Sequence, residues 1–235
     1  MAHYIPGLSA PVSNDNIEQV YCDVLLGDTD ETFMSPLGGA QPNFPVDTGE
    51  QIQLVSANAA DVGTIRVTGL DVDFKHFEED IELNGITPVV TANVFTRVND
   101  LTWLEPQALQ GQVLAQKIGG SVNYRSISVD AQISEDGVFT VPADRLWQVP
   151  QLYAAIIRDS NSQTTGVINV YYRPIGSHFL RPFRFAVSMR GNSSADYINS
   201  YPVEIDGPAD FYLSAQSSDP NAEVVARLTI KMRTK

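Results

Sequence analysis

Residues 224–233, VVARLTIKMR, alternate with a period of two. Val224, Ala226, Leu228, Ile230 and Met232 fall on one side, and Val225, Arg227, Thr229, Lys231 and Arg233 on the other. A helix of 3.6 residues per turn would scatter these apolar side chains around its circumference, whereas a strand with one face on a core collects them. The same period recurs elsewhere. Ile65 and Val67 alternate with Thr64, Arg66 and Thr68; Ile127, Val129, Ala131 and Ile133 share a face of 121–133; Phe183, Phe185, Val187 and Met189 alternate with Arg184, Ala186, Ser188 and Arg190. No alternation of strands with helical patterns accompanies them, so a parallel α/β sheet is disfavoured. Many short strands separated by turn signals predict an all-β fold, an antiparallel β-sandwich or jelly roll.

The stretch Ser134–Arg173 is predicted to form its centre. Val138–Val141 reads as a short strand ending in a Pro-Ala-Asp turn, Leu146–Ile157 as a long strand, and Val167–Arg173 as another after the polar turn 159–166. Earlier in the chain, Ile17–Leu26, Gln51–Ala57 and Gly63–Asp71 read as strands. Val72–Leu83 admits a helix, but Asn84-Gly85 follows directly and signals a hairpin with 86–98 as its return strand. Residues 105–116 read as a short helix or a loop. Tyr197–Ile205 and Phe211–Ala215 are short strands. Pro6, Gly7 and Pro11 make 1–16 an extended arm, and the Gly- and Pro-containing segment 27–50 a long loop of the kind that binds partners. The expected organisation is therefore 1–50 (arm, first strand and long loop) followed by a sandwich over 51–235, with a possible sub-boundary near 110–120. No fixed internal period is present.

That sub-boundary comes from charge. The net charge of −13 is uneven: residues 1–110 hold 17 Asp/Glu and 3 Lys/Arg, and residues 111–235 hold 11 and 12. An acidic first half repels phosphates and argues against nucleic-acid binding. No run of about 18 apolar residues exists, so no membrane-spanning helix is expected, and the first residues lack the basic-then-apolar pattern of a secretory signal. The single cysteine, Cys22, has no intramolecular disulfide partner and reads as a small strand hydrophobe.

Chemistry is sparse. His3, His76 and His178 are isolated from any nucleophile pattern, and no zinc-protease or serine-hydrolase spacing appears. Asp28, Asp30 and Glu31, or Asp71 and Asp73, could offer oxygen ligands to a hard cation, but neither set has the glycine and distant glutamate of an EF-hand loop, and both read as solvated acidic turns. Trp103 and Trp147 could stack on sugar rings, yet each sits in an apolar strand pattern and reads as packing. Asn192-Ser193-Ser194 matches a glycosylation acceptor. The expectation is no enzyme, no cofactor and no metal. Candidate interface residues are the apolar groups on irregular segments (Tyr4, Ile5, Leu8, Phe33, Met34, Leu37 and Phe44), which need a covering surface, and the basic strip Arg181, Arg184 and Arg190.

One stretch carries a family resemblance. IRVTGLDVDFKHFEEDIELNGITPVVTANVFTRVNDL, with Thr68-Gly69-Leu70-Asp71, Leu83-Asn84-Gly85, Thr87-Pro88-Val89 and Arg97, resembles a pattern common in structural proteins of tailed bacteriophages. Phe139-Thr140-Val141-Pro142-Ala143 resembles that family's turn after the following strand, and Ile168, Val170 and Arg173-Pro174 resemble its next strand ending. The likeness spans about residues 50–233. It departs at Asp144, where the family often has Gly, and the loop 27–50 has no counterpart. The resemblance implies a virion structural protein without saying which one; the expected role is a capsid decoration (cement) protein that clamps neighbouring major capsid subunits, as a homo-oligomer and by analogy a trimer. The alternative is a tail, neck or fibre-associated module binding host glycan.

Overall fold

The computed structural model describes residues 16–25, 32–35, 37, 43–157, 165–177, 181–190, 193–219 and 223–235, with side-chain detail omitted at 16–33, 156–157 and 181–203. The described residues are all-β and contain no helix. Their strands are β1 (Asn16–Leu25), β2 (Thr32–Phe33), β3 (Ile52–Ser56), β4 (Val62–Leu70), β5 (His76–Asn84), β6 (Val89–Val90), β7 (Arg97–Trp103), β8 (Val113–Lys117), β9 (Asn123–Ile127), β10 (Val138–Val141), β11 (Arg145–Ile157), β12 (Thr165–Pro174), β13 (Arg181–Arg190), β14 (Ser193–Asp206), β15 (Ala209–Ser217) and β16 (Glu223–Thr234). Every ladder is antiparallel.

The chain forms two compact units. One comprises 42–135; the other joins 10–41 to 136–235. The composition shift near residue 110 falls inside the first of these units.

In the split unit, one sheet has the order β1-β16-β11-β14 and the other β10-β15-β12-β13, with β2 also on β15. The central stretch of the sequence supplies strands to both sheets, and the remaining strands pair onto it. Alternation makes β16 two-faced: Val224, Ala226, Leu228, Ile230 and Met232 are all buried, while Arg227 and Arg233 are exposed. Phe139 of β10 stacks on Phe211 of β15 at 4.7 Å and meets Trp147 of β11, in the other sheet, at 5.0 Å. In β11 the inward set passes from Trp147 and Val149 to Leu152 and Ala154, a change of parity. It coincides with a register shift between Val149 and Gln151. Pro150, with no N–H to give the ladder, sits at that bulge.

The 42–135 unit enters this sandwich through a single edge strand. β2 and β10 lie end to end along β15, Phe33 opposite Ser214 and Val138 opposite Tyr212. Between them Leu213 accepts from Met34 N (2.9 Å) and donates to Gly137 O (2.8 Å), so one rung is shared by two residues far apart in sequence. Gly137 N donates to Met34 O (2.7 Å), and Ser35 Oγ donates to Asp136 Oδ2 (3.0 Å), which closes the break. Met34, immediately after β2, is fully buried.

The inserted unit has the sheets β6-β3-β8-β9 and β5-β4-β7. Ile52 and Leu54, Ile65 and Val67, Ile81 and Leu83, Leu101 and Trp103, Val113 and Ala115, and Tyr124 and Ile127 share one core. Arg125 of β9 is buried and donates to Val98 O of β7 through Nη2 (2.7 Å) and Nε (3.1 Å), tying the two sheets. Here the sequence expectations need correction. β5 pairs with β4 through the turn 71–75, not with 86–98. Asn84-Gly85 does turn, with Thr87 N donating to Asn84 O, but it is tied to 56–61: Gly85 N donates to Asp61 O, and Gly85 O accepts from Ser56 N. Of the expected return strand 86–98, Val89–Val90 pairs with β3, and Arg97–Val98 opens β7, which pairs with β4. Residues 104–112 form no helix and lead into β8. The expected strand 121–133 is ordered only at 123–127; Asp130 takes a left-handed φ of 64°, Val129 is exposed, and Ile133 crosses to Thr102.

Candidate functional site

Two polar hubs hold the inserted unit where its strands are too short to do so. The buried Asp61 carboxylate accepts from Ser56 Oγ (2.5 Å), Gln110 N and Gly111 N (both 2.9 Å), fixing the 109–111 segment. Asp100, also buried, accepts from Ser134 Oγ, Leu101 N (2.8 Å) and Thr102 Oγ1 (3.2 Å), with the Arg125 charge nearby. Burial pushes the Asp100 carboxyl up to about 6, partly offset by Ser134, Arg125, Thr102 and the Leu101 amide. Through Ser134 this carboxylate pins the segment that leaves the unit, which is also zipped to β7 by Ser134 N to Leu101 O (2.9 Å) and Trp103 N to Gln132 O (2.7 Å).

One end of the unit gathers three irregular segments, 43–50, 71–75 and 91–97. Arg97, only 2% exposed, organises it. Its guanidinium donates to Thr96 O (2.6 Å), pairs with Asp47 (2.9 Å), and lies 4.6 Å from the Phe44 ring and 5.4 Å from the Phe74 ring. Asp71 Oδ1 accepts from the N–H groups of Asp73 and Lys75 (both 2.9 Å), shaping a tight turn in which Phe74 takes φ 56°. A bulky residue in the left-handed region is strained, and such strain is held only where surroundings over-determine it. Thr96 Oγ1 donates to Leu70 O and Asp71 O, and Glu79 accepts from Ala92 N, Asn93 N and Asn93 Nδ2. Gln51 Nε2 donates to Thr91 O (2.8 Å) and Ala92 O (3.3 Å). The result is a rigid end built from side-chain-to-backbone bonds.

The expected interface residues scatter. Tyr4, Ile5 and Leu8 lie outside the described residues, as do Asp28, Asp30, Glu31, His3, His178 and Asn192. Arg181, Arg184 and Arg190 lie on β13, an end strand of its sheet, and Phe33 on β2; their side chains are likewise outside the description, as is that of Cys22. Leu37 is half-buried. Met34 is fully buried, and half-buried Phe44 packs against Arg97. His76 lies 4.0 Å from Glu78. Among the described residues no group of His, Cys, Asp or Glu is placed to hold a metal ion, and Asp71 serves its own turn. Trp103 and Trp147 are both buried, so neither offers a face to a sugar. Sequence reasoning missed Arg97 as an organiser and the hubs Asp61 and Asp100. The one available signal was a charged residue followed by an apolar strand residue, as Asp100 is by Leu101 in β7.

No protein-family model matches the chain, and no characterised protein matches its sequence. Among solved structures, the chain is similar to the VP2 subviral particle of infectious bursal disease virus (10% identity, 96% of this chain and 74% of that chain, TM-score 0.22). A Gt strain structure of the same virus gives 10% identity over 98% of this chain and 83% of that chain, with a TM-score of 0.15. TM-scores this low establish no shared fold.

Proposed function

We propose that the chain is a virion structural protein acting by binding rather than catalysis, as a capsid decoration (cement) protein that lies across neighbouring capsid subunits of a tailed bacteriophage. The observation that carries this reading is strand order. Counting the eight long-range strands of the split unit in chain order (β1, β10, β11, β12, β13, β14, β15, β16), the sheets run 1-8-3-6 and 2-7-4-5. That order follows from folding four antiparallel strand pairs over as one ribbon, the jelly roll that virus capsid domains use. The phage-like motifs at 68–71, 83–89 and 139–143 support the same assignment by resemblance. A domain inserted in one edge strand adds a second surface without interrupting the sandwich, which suits a protein that bridges subunits. Under this reading the protein self-associates, with a trimer as the favoured state, and its partner is the major capsid protein.

The alternative, a tail, neck or fibre-associated glycan binder that would use Trp and Tyr side chains, loses both tryptophans to burial and keeps the half-buried Tyr153, Tyr171 and Tyr172. The discriminating experiment is the copy number in purified particles by quantified gel, alongside the native mass of the purified protein. A count comparable with that of the capsid subunits and a trimeric mass are expected. A few copies per particle would favour the tail or neck, and absence from particles would overturn the virion role.

A further inference from the structure

We infer that the Arg97-organised end of the inserted unit docks a protein partner that presents aliphatic side chains rimmed by lysine or arginine. Three valines are exposed there: Val46 at 48%, Val72 at 53% and Val94 at 38%. They are gathered around Gly49, whose φ of 81° admits no ordinary side chain. A Cβ on it would stand 3.1 Å from Val72 Cγ1 and 3.2 Å from Val94 Cγ2, and Gly49 N donates to Val46 O (2.8 Å). The half-buried Phe44 and Phe74 rings flank the same end through Arg97. Isolated exposed valines are ordinary, but a gathered set on three different segments is the signature of a contact surface. The segments are also locked in advance by Glu79, Gln51, Thr96 and Asp71, so little ordering entropy remains to be lost on docking. Strain at Phe74, which holds the tip of the 71–75 turn in place, belongs with that pre-organisation.

Charge chooses the partner. The unit 42–135 carries 13 Asp/Glu and 5 Lys/Arg. Around the valines stand Asp47, Glu50, Asp71, Asp73 and Glu79, against Lys75, which pairs with Asp73 at 3.6 Å, Arg97, which pairs with Asp47, and Lys117, which pairs with Glu50 at 3.9 Å. A second copy would bring the same acidic face to itself, because a two-fold contact is self-complementary. Phosphate-bearing surfaces, nucleic acid or membrane, would be repelled. A partner with an aliphatic centre and a cationic rim gains both burial and complementary potential. This docking does not require the virion role proposed above.

The test uses the full chain and an array of peptides in which a Val-Leu-Ile cluster is flanked by zero, two or four Lys/Arg. The variants are Val72→Ser with Val94→Ser, Lys75→Glu, and the control Val129→Ser, which lies on an exposed position elsewhere in the unit. Thermal melts should show all variants folded. Binding is expected to rise with the number of flanking cations and to weaken with salt. It should fall at least tenfold for the double serine variant, strengthen for Lys75→Glu and stay unchanged for Val129→Ser. No peptide binding above the uncharged array, equal loss in the control, or a dimer by sedimentation that the double variant dissolves would each overturn the inference. The last would assign the face to a second copy.

Discussion

The two units of this protein are stabilised differently, although both are antiparallel β. The split sandwich consists of strands of nine to fourteen residues apart from β10 and the short β2; its described strands bury apolar faces beside one fully buried carboxylate, Asp210, which accepts from Thr140 Oγ1 and Arg173 Nη2 (both 2.7 Å). In the inserted unit, β3, β6, β8 and β9 have five residues or fewer. Much of its backbone is satisfied by side chains instead: Asp61, Asp100, Glu79, Gln51, Thr91 and Thr96 each bond to main-chain groups. Long strands pair their own N–H and C=O groups; short strands and long connections leave them to be satisfied locally, because a buried unpaired group is costly. The first unit should therefore answer mainly to changes of apolar volume, and the second to the loss of single polar groups.

The largest effect is expected from Phe211→Ala. This ring is completely buried and stacked on Phe139, so truncation leaves a cavity costing about 4 kcal/mol. Chemical denaturation should show the loss in the sandwich transition. Asp61→Ala removes one acceptor from three donors, two of them main-chain amides. A cost of about 3 kcal/mol follows from stranding buried donors that had bonded a charged group. Amide exchange at Gln110 and Gly111 should accelerate with it. If Asp61→Ala were neutral, the idea that polar hubs replace strand pairing in the inserted unit would fail.

Asp100 gives a pH dependence of definite sign. Its carboxyl is raised from 3.8 to about 6 in the folded state, chiefly by burial, so the folded state holds the proton more tightly than the unfolded chain. The stability it contributes is fully present below about pH 4 and is lost as pH rises through 6. Between pH 7 and pH 5 this group alone should add about 1.4 kcal/mol on acidification. The groups facing it are Arg125, Ser134 and Thr102, and Asp100→Asn should remove this increment when the two melting-temperature profiles are subtracted. Ser35→Ala is the smallest change. It deletes a single bond to Asp136 at the break in the edge strand and should cost about 1 kcal/mol in the sandwich transition.

The same contrast explains what could be read from sequence. In β16 and β4 the alternation is carried by residues that truly face in and out, so class, strand positions and antiparallel character were legible. The bulge at Pro150 did not obscure β11, because Trp147, Val149, Leu152 and Ala154 still mark an apolar run. The failures lie in the inserted unit. β-branched residues at 86–98 imitate a strand, yet their backbone is held by Thr91, Gln51 and Glu79 side chains across distances no local pattern reports. Val129 and Ile133 continue an alternation that Asp130 breaks by turning left-handed. Met34 and Phe44 carried apolar side chains on an irregular-looking segment. What was hidden is that Met34 completes a strand whose continuation begins at Gly137, and that Phe44 has Arg97 to pack on. The insertion itself was invisible because charge changes near 110 while the chain changes unit at 135.

That insertion is the centre of the account and can be cut. Residues 36–135 are to be excised and Ser35 joined to Asp136 through a short glycine linker, since Ser35 and Asp136 already bond across the gap. The expected product is a folded all-β protein by circular dichroism, unfolding in a single cooperative transition, with protected amides at Met34 and Leu213. An excised chain that is unfolded or aggregated, with Leu213 exchanging freely, would contradict the reading of one sandwich interrupted in a single strand.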